Sequence, residues 1–135
     1  MTDLSFACEY DYSDSRFGIE VPVRLWADSS NTVSLLAKFD TGATFCIFNR
    51  AYAERIGLVV ENGRRETIGT ATGQFHAYAH SVTMSCLEWE FETTVYFAAD
   101  ESFSRNVVGL NGWLDRFRLA LIHQKSLLYL SHFDD

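Results

Sequence analysis

Apolar and polar residues alternate with a period of two along most of this chain, and that pattern limits the folds open to it. Leu4, Phe6, Cys8 and Tyr10 alternate with Ser5, Ala7 and Glu9. Phe17, Ile19, Val21, Val23 and Leu25 alternate with Gly18, Glu20, Pro22 and Arg24. Side chains of an extended strand point to opposite faces in turn, so these runs read as half-buried strands. Val33–Phe39, Phe45–Phe48, His80–Cys86, Trp89–Tyr96 and Val107–Val108 extend the series. Glu66–Ile68 and Phe75–Tyr78 flank Gly69-Thr70-Ala71-Thr72-Gly73, which is hairpin chemistry. Leu119–Ile122 and Leu127–Leu130 flank a turn at Gln124-Lys125. Asn49 is placed to cap a helix over Arg50–Ile56 that Gly57 closes, and a second short helix is expected over Gly112–Phe117. Many short strands with one or two short helices predict a mostly-β barrel or sandwich.

At 135 residues with no linker, repeat or low-complexity tract, the chain is expected to form a single domain over 1–135. That size buries about two-thirds of the unfolded surface, enough for a core without a disulfide or metal staple. The apolar share of 47% excludes intrinsic disorder. Basic residues number 11 against 18 acidic, a net charge of −7. They are scattered, so no nucleic-acid partner is expected, since that affinity needs clustered Lys and Arg. The first residues carry no basic and apolar leader pattern, and no apolar run approaches a membrane span, so neither a signal peptide nor a membrane partner is expected. Cys8, Cys46 and Cys86 form an odd set with no CxxC, which suggests small buried hydrophobes in a reducing, cytoplasmic compartment.

The segment that carries chemistry is Ala37-Lys38-Phe39-Asp40-Thr41-Gly42-Ala43-Thr44. Asp40 ends an apolar strand at the mouth of a turn, a poor place for packing an acid. Thr41 supplies a short hydroxyl for a buried hydrogen bond, and Gly42 lets another backbone come close.

This loop resembles the Asp-Thr/Ser-Gly-Ala/Ser signature of the aspartic proteases. Ala43-Thr44-Phe45-Cys46-Ile47-Phe48-Asn49-Arg50-Ala51-Tyr52-Ala53-Glu54-Arg55-Ile56-Gly57-Leu58 is similar to the strand and helix that follow that loop in bacterial retropepsin-like domains. Asn106-Val107-Val108-Gly109-Leu110-Asn111-Gly112-Trp113-Leu114-Asp115-Arg116-Phe117 resembles their second signature, and the Gly69–Gly73 hairpin lies where the family carries its flap. The likeness runs from about Phe17 to Leu130 and keeps the family order. It implies a closed β-barrel of the retropepsin type.

The resemblance also implies an aspartic endopeptidase that hydrolyses peptide bonds with water activated by two carboxylates sharing one proton. The chain has a single Asp-Thr-Gly and no Asp-Ser-Gly, so the second acid would be Asp40 of another copy in a homodimer. Asp40, Thr41 and Gly42 would be the catalytic loop. Ala43, Thr44, Ile68, Gly69, Thr70, Ala71, Thr72 and Gly73 would hold a polypeptide substrate, and Val107, Val108 and Gly109 would support Asp40 from behind. No cofactor is implied. Viral members carry Asp and Arg where this chain has Thr44 and Leu110, so the viral ion pair near the subunit interface is missing.

No metal site is expected. His76 and His80 are about 13 Å apart along one strand, too far to share an ion. Glu88, Glu90 and Glu92 alternate with Trp89, Phe91 and Thr93 as a solvated strand face. A second reading stays open beside the endopeptidase: a non-catalytic member of the same fold that binds a peptide or dimerises without cutting. Leu4–Tyr10 and Leu127–Leu130, apolar strands near the two ends, are the expected self-association elements.

Overall fold

The computed structural model describes residues 2–135; Met1, part of the expected domain, lies outside the described residues. Ten strands carry the fold: β1 (Cys8–Asp11), β2 (Glu20–Trp26), β3 (Thr32–Phe39), β4 (Ile47–Phe48), β5 (Arg64–Thr70), β6 (Gly73–Cys86), β7 (Trp89–Ala98), β8 (Val107–Val108), β9 (Phe117–Ile122) and β10 (Leu127–His132). One α-helix, α1 (Arg50–Arg55), follows β4. Short 3₁₀ turns occupy Val60–Asn62, Leu114–Arg116 and His123–Lys125. The protein is mostly β.

Seven strands form one sheet in the order β2-β3-β8-β4-β7-β6-β5, and β2 also pairs with β6. The pairings therefore return on themselves, through a β4–β8 link of one register pair, Ile47 with Val107. Alternation does what period two dictates. Val21, Val23 and Leu25 of β2 and Val33, Ala37 and Phe39 of β3 point inward onto Phe48, Met84, Phe97 and Trp113, while Arg24, Ser34 and Lys38 face out. A separate sheet, β1-β10-β9, packs Leu128 and Leu130 into the same core.

Helix α1 starts where its cap is. The Asn49 side chain accepts from the Ala51 N–H at 2.8 Å, and its amide donates to the Phe103 carbonyl. Gly57 at φ +85° takes the left-handed step that ends the helix.

Four local expectations change. The strand read over Leu4–Tyr10 is confined to Cys8–Asp11: Leu4 is exposed, and the Ala7 N–H goes to the Ser131 hydroxyl at 2.7 Å instead of into a ladder. Phe17 and Ile19 precede β2, and Phe17 is exposed. The hairpin arm at Phe75 and the strand at His80 are one 14-residue strand, because no Gly or Pro interrupts Gln74–Cys86. The helix expected over Gly112–Phe117 is only the 3₁₀ turn at Leu114–Arg116. Gly112 sits at φ +101°, outside helical space, and its N–H meets the Asp115 carboxylate at 3.2 Å, while Phe117 opens β9 with its ring 5.1 Å from Trp113.

Candidate active site

The two residues of β8 lie between β3 and β4, parallel to the first and antiparallel to the second. The chain leaving β3 and entering β4 therefore straddles β8, and the Asp40 loop is the bridge. It is held at both feet. The Phe39 N–H donates to Ile19 O at 2.8 Å and the Asp40 N–H to Val108 O at 3.1 Å. On the exit side, Ala43 O accepts from Leu110 N–H at 2.9 Å and Thr44 O from Asn111 N–H at 2.8 Å.

Gly109 makes this closeness possible. A Cβ there would run into the carbonyl oxygens of Ala43 and Phe45, the latter only 2.6 Å away. Val107, Val108 and Gly109 are all buried behind the loop.

Asp40 itself is half-buried, and Thr41 and Gly42 are exposed at the tip. One Asp40 carboxylate oxygen accepts the Gly42 N–H at 2.8 Å, and the Asp40 carbonyl accepts from Ala43 N–H at 3.1 Å. The loop thus fixes the direction of the carboxylate with its own backbone and leaves the second oxygen free of any protein donor among the described residues.

Asp40 opens on a cleft of about 360 Å³. Gly42, Ala43 and Thr44 form one wall; Thr67, Ile68, Gly69, Thr70 and Ala71 from the β5–β6 hairpin form the other. The floor is a second apolar cluster, distinct from the main core. Phe45 packs on Tyr96 with ring centres 4.6 Å apart, and Phe75 on Phe103 at 4.8 Å. At the hairpin tip the Thr70 hydroxyl donates to Gly73 O at 3.1 Å. Of the substrate-contact residues read from sequence, Thr72 and Gly73 are exposed at that tip and do not line the cleft.

A second hollow, of about 470 Å³, lies on the other side of Asp40 and shares Asp40, Arg105 and Val107 with the first. The sequence reading missed Phe45, Phe75, Phe103, Arg105 and Lys38 as lining residues. Lys38 was legible, since alternation along β3 puts it on one face with Leu36, two residues before Asp40. Arg105 and Phe103 come from a loop before β8 with no periodic signal.

Other chemistries find little footing near Asp40. Burial pushes the Cys46 and Cys86 thiols up to about 12, and burial with the Glu88 carboxylate pushes Cys8 up to about 11; all three are unbridged. Thiols held this far from ionisation make poor nucleophiles. His76 faces Arg65 and Thr67, while His80 meets the Val60 carbonyl at 2.8 Å. Among the described residues one group, His132, Asp134 and Asp135, has metal-ligand types within reach of each other, and it is not among the residues lining the cleft. No described helix is long and apolar enough to cross a membrane.

Comparison with known proteins agrees with this fold. The family model described as aspartyl protease matches residues 21–111. A retropepsin-like aspartic protease from Rickettsia conorii superposes with a TM-score of 0.66 at 19% identity, covering 93% of this chain and 99% of that one. EIAV protease, solved in complex with an inhibitor, gives 0.52 at 20% identity, covering 67% and 80%. At these identities the likeness is one of fold. No curated protein matches the chain in sequence.

Proposed function

The chain belongs to the retropepsin-like aspartyl protease family, and from that premise we propose that it is an aspartic endopeptidase whose site is completed by a second copy of itself. The observation that carries this reading is the placement of Asp40. Its carboxylate is oriented by the Gly42 N–H at the end of a peptide-sized cleft, and the loop tip beyond it is exposed. Among the described residues the only other carboxylate lining either hollow is Glu20, one of whose oxygens accepts the Arg16 N–H. One Asp-Thr-Gly per chain leaves the second acid to a symmetric partner.

In this reading the two Asp40 carboxylates face each other across a two-fold axis. Like charges that close cannot both ionise, so the pair holds one proton and titrates as a unit. The ionised member takes a proton from a water bound between them. The water oxygen attacks the peptide carbon while the protonated member gives its proton to the peptide oxygen. The carboxyl that took the water's proton passes it to the peptide nitrogen while the other carboxylate takes a proton from the diol, so the C–N bond breaks, an amine and a carboxylic acid leave, and the pair again holds one proton.

Thr41, exposed at the tip, bonds across the axis to the partner loop. Gly42 offers its carbonyl to the substrate. Ala43, Thr44 and Ile68–Ala71 hold an extended peptide by strand-like pairing, and Thr72 and Gly73 form the closing tip of the flap. Val107, Val108 and Gly109 brace Asp40. The reading extends to one domain over 1–135, a closed barrel of the acid-protease type, a bacterial-type member and a cytoplasmic setting, which the three unbridged cysteines favour.

The test is cleavage of a peptide library between pH 4 and 7 by wild type and Asp40→Asn, read by mass spectrometry. The reading expects cleavage by wild type and a loss of about 10³-fold or more in the variant. No cleavage by either protein leaves the peptide-binding or dimerisation module as the better account.

A further inference from the structure

Although the chain carries a net charge of −7, the second hollow at Asp40 is lined by two cations, Lys38 and Arg105, with Glu20 as its one further acid among the described residues. Lys38 lies on β3 two residues before Asp40, which directly follows the strand. Its register partner on β8 is Val107, and Arg105 lies two residues before Val107. Both cations line the hollow that opens on Asp40, and Arg105 also lines the main cleft.

Neither Lys38 nor Arg105 forms an ion pair among the described residues. Three other cations, Arg50, Arg64 and Arg116, do. The acid nearest Lys38 in register, Glu20, has one oxygen on the Arg16 N–H. Apolar side chains frame the cations: Phe17, Leu36 and Val107 share the hollow, and Phe17 and Leu36 are largely exposed in the single chain. A cation pair inside an apolar frame suits a carboxylate on a short aliphatic stem better than a fully hydrated anion.

We infer that Lys38 and Arg105 form an anionic-side-chain subsite beside Asp40, which selects polypeptide substrates carrying Glu or Asp next to the bond at Asp40. The inference rests on the cleft being a peptide site. Arg105, bordering both hollows, sets the boundary between this subsite and the apolar cleft floored by Phe45 and Phe75.

The test uses wild-type protein and peptides whose central amide is replaced by an uncharged hydroxyethylene group, with Glu, Gln or Lys placed in turn at each flanking position. At one position next to the isostere, Glu should bind about tenfold tighter than Gln, and the gap should narrow as salt rises. Lys38→Gln with Arg105→Gln should close that gap, and Lys38→Glu with Arg105→Glu should turn the preference toward Lys. Equal binding of the Glu and Gln peptides at every position, or binding of neither, overturns the subsite. Cleavage of ordinary peptides is scored separately. A Glu preference in binding without any cleavage keeps the subsite and removes the endopeptidase. Cleavage without a Glu preference does the reverse.

Discussion

Gly109 is the residue on which the geometry around Asp40 most depends. Its missing side chain lets Ala43 and Phe45 close over β8, so Gly109→Ala must push the Asp40 loop outward. The expected cost is about 2 kcal/mol or more, the range for overpacking against unyielding backbone, read by urea denaturation. Asp40, Thr41 and Gly42 stood out in the sequence because an acid at the end of an apolar strand is badly placed for packing, and the turn itself is shown by the Gly42 N–H donating to the Asp40 carboxylate. Gly109 was legible only as part of a likeness, since nothing in Val107-Val108-Gly109 reveals which carbonyls will crowd it. The cysteines give a second check at this scale. With thiols raised to about 12, Cys46 and Cys86 should resist iodoacetamide at pH 8 in the folded protein, and react once urea unfolds it. Mass spectrometry of the labelled sites decides it.

At the scale of elements, period two fixed nearly every strand, and the errors fell where tertiary partners decide. Leu4–Tyr10 has the alternation of a strand, yet only its last three residues, Cys8–Tyr10, together with Asp11, find a ladder on β10. Gly112–Phe117 is expected to be a short helix, yet Gly112 and the burial of Phe117 leave only a turn. Helix α1 was readable from its cap, but the second task of Asn49 was not. Its amide ties the helix start to the Phe103 loop, which lines the cleft. Asn49→Ala should therefore cost about 1–2 kcal/mol, more than a helix cap alone, and loosen that cleft wall. Leu4–Tyr10 and Leu127–Leu130, the segments expected to self-associate, fall largely in the β1-β10-β9 sheet, where Leu121 and Ile122 of β9 are also exposed. Removing residues 1–10 should weaken the dimer, and an unchanged sedimentation profile would rule that role out.

For the whole molecule, the acid limit of the fold follows from carboxylates that it holds in their charged form. Asp11, Asp28 and Asp100 accept bonds from Ser13, Ser30 and Ser102, and Glu61 accepts from Arg50, so all four titrate below their ordinary range. A depressed folded value adds stability above the unfolded value and loses it as pH falls through the folded one. The melting temperature should therefore stay nearly level from pH 7 to 5 and fall below about pH 4. The central claim concerns two molecules: catalysis needs Asp40 from each of two copies. Titrating a fixed amount of wild type with Asp40→Asn, under conditions of subunit exchange, tests it most directly. Random pairing predicts that an equal amount of variant leaves about half the activity and a threefold excess about a quarter. Activity that stays constant as the inactive variant is added would contradict a shared site and place the chemistry within one chain.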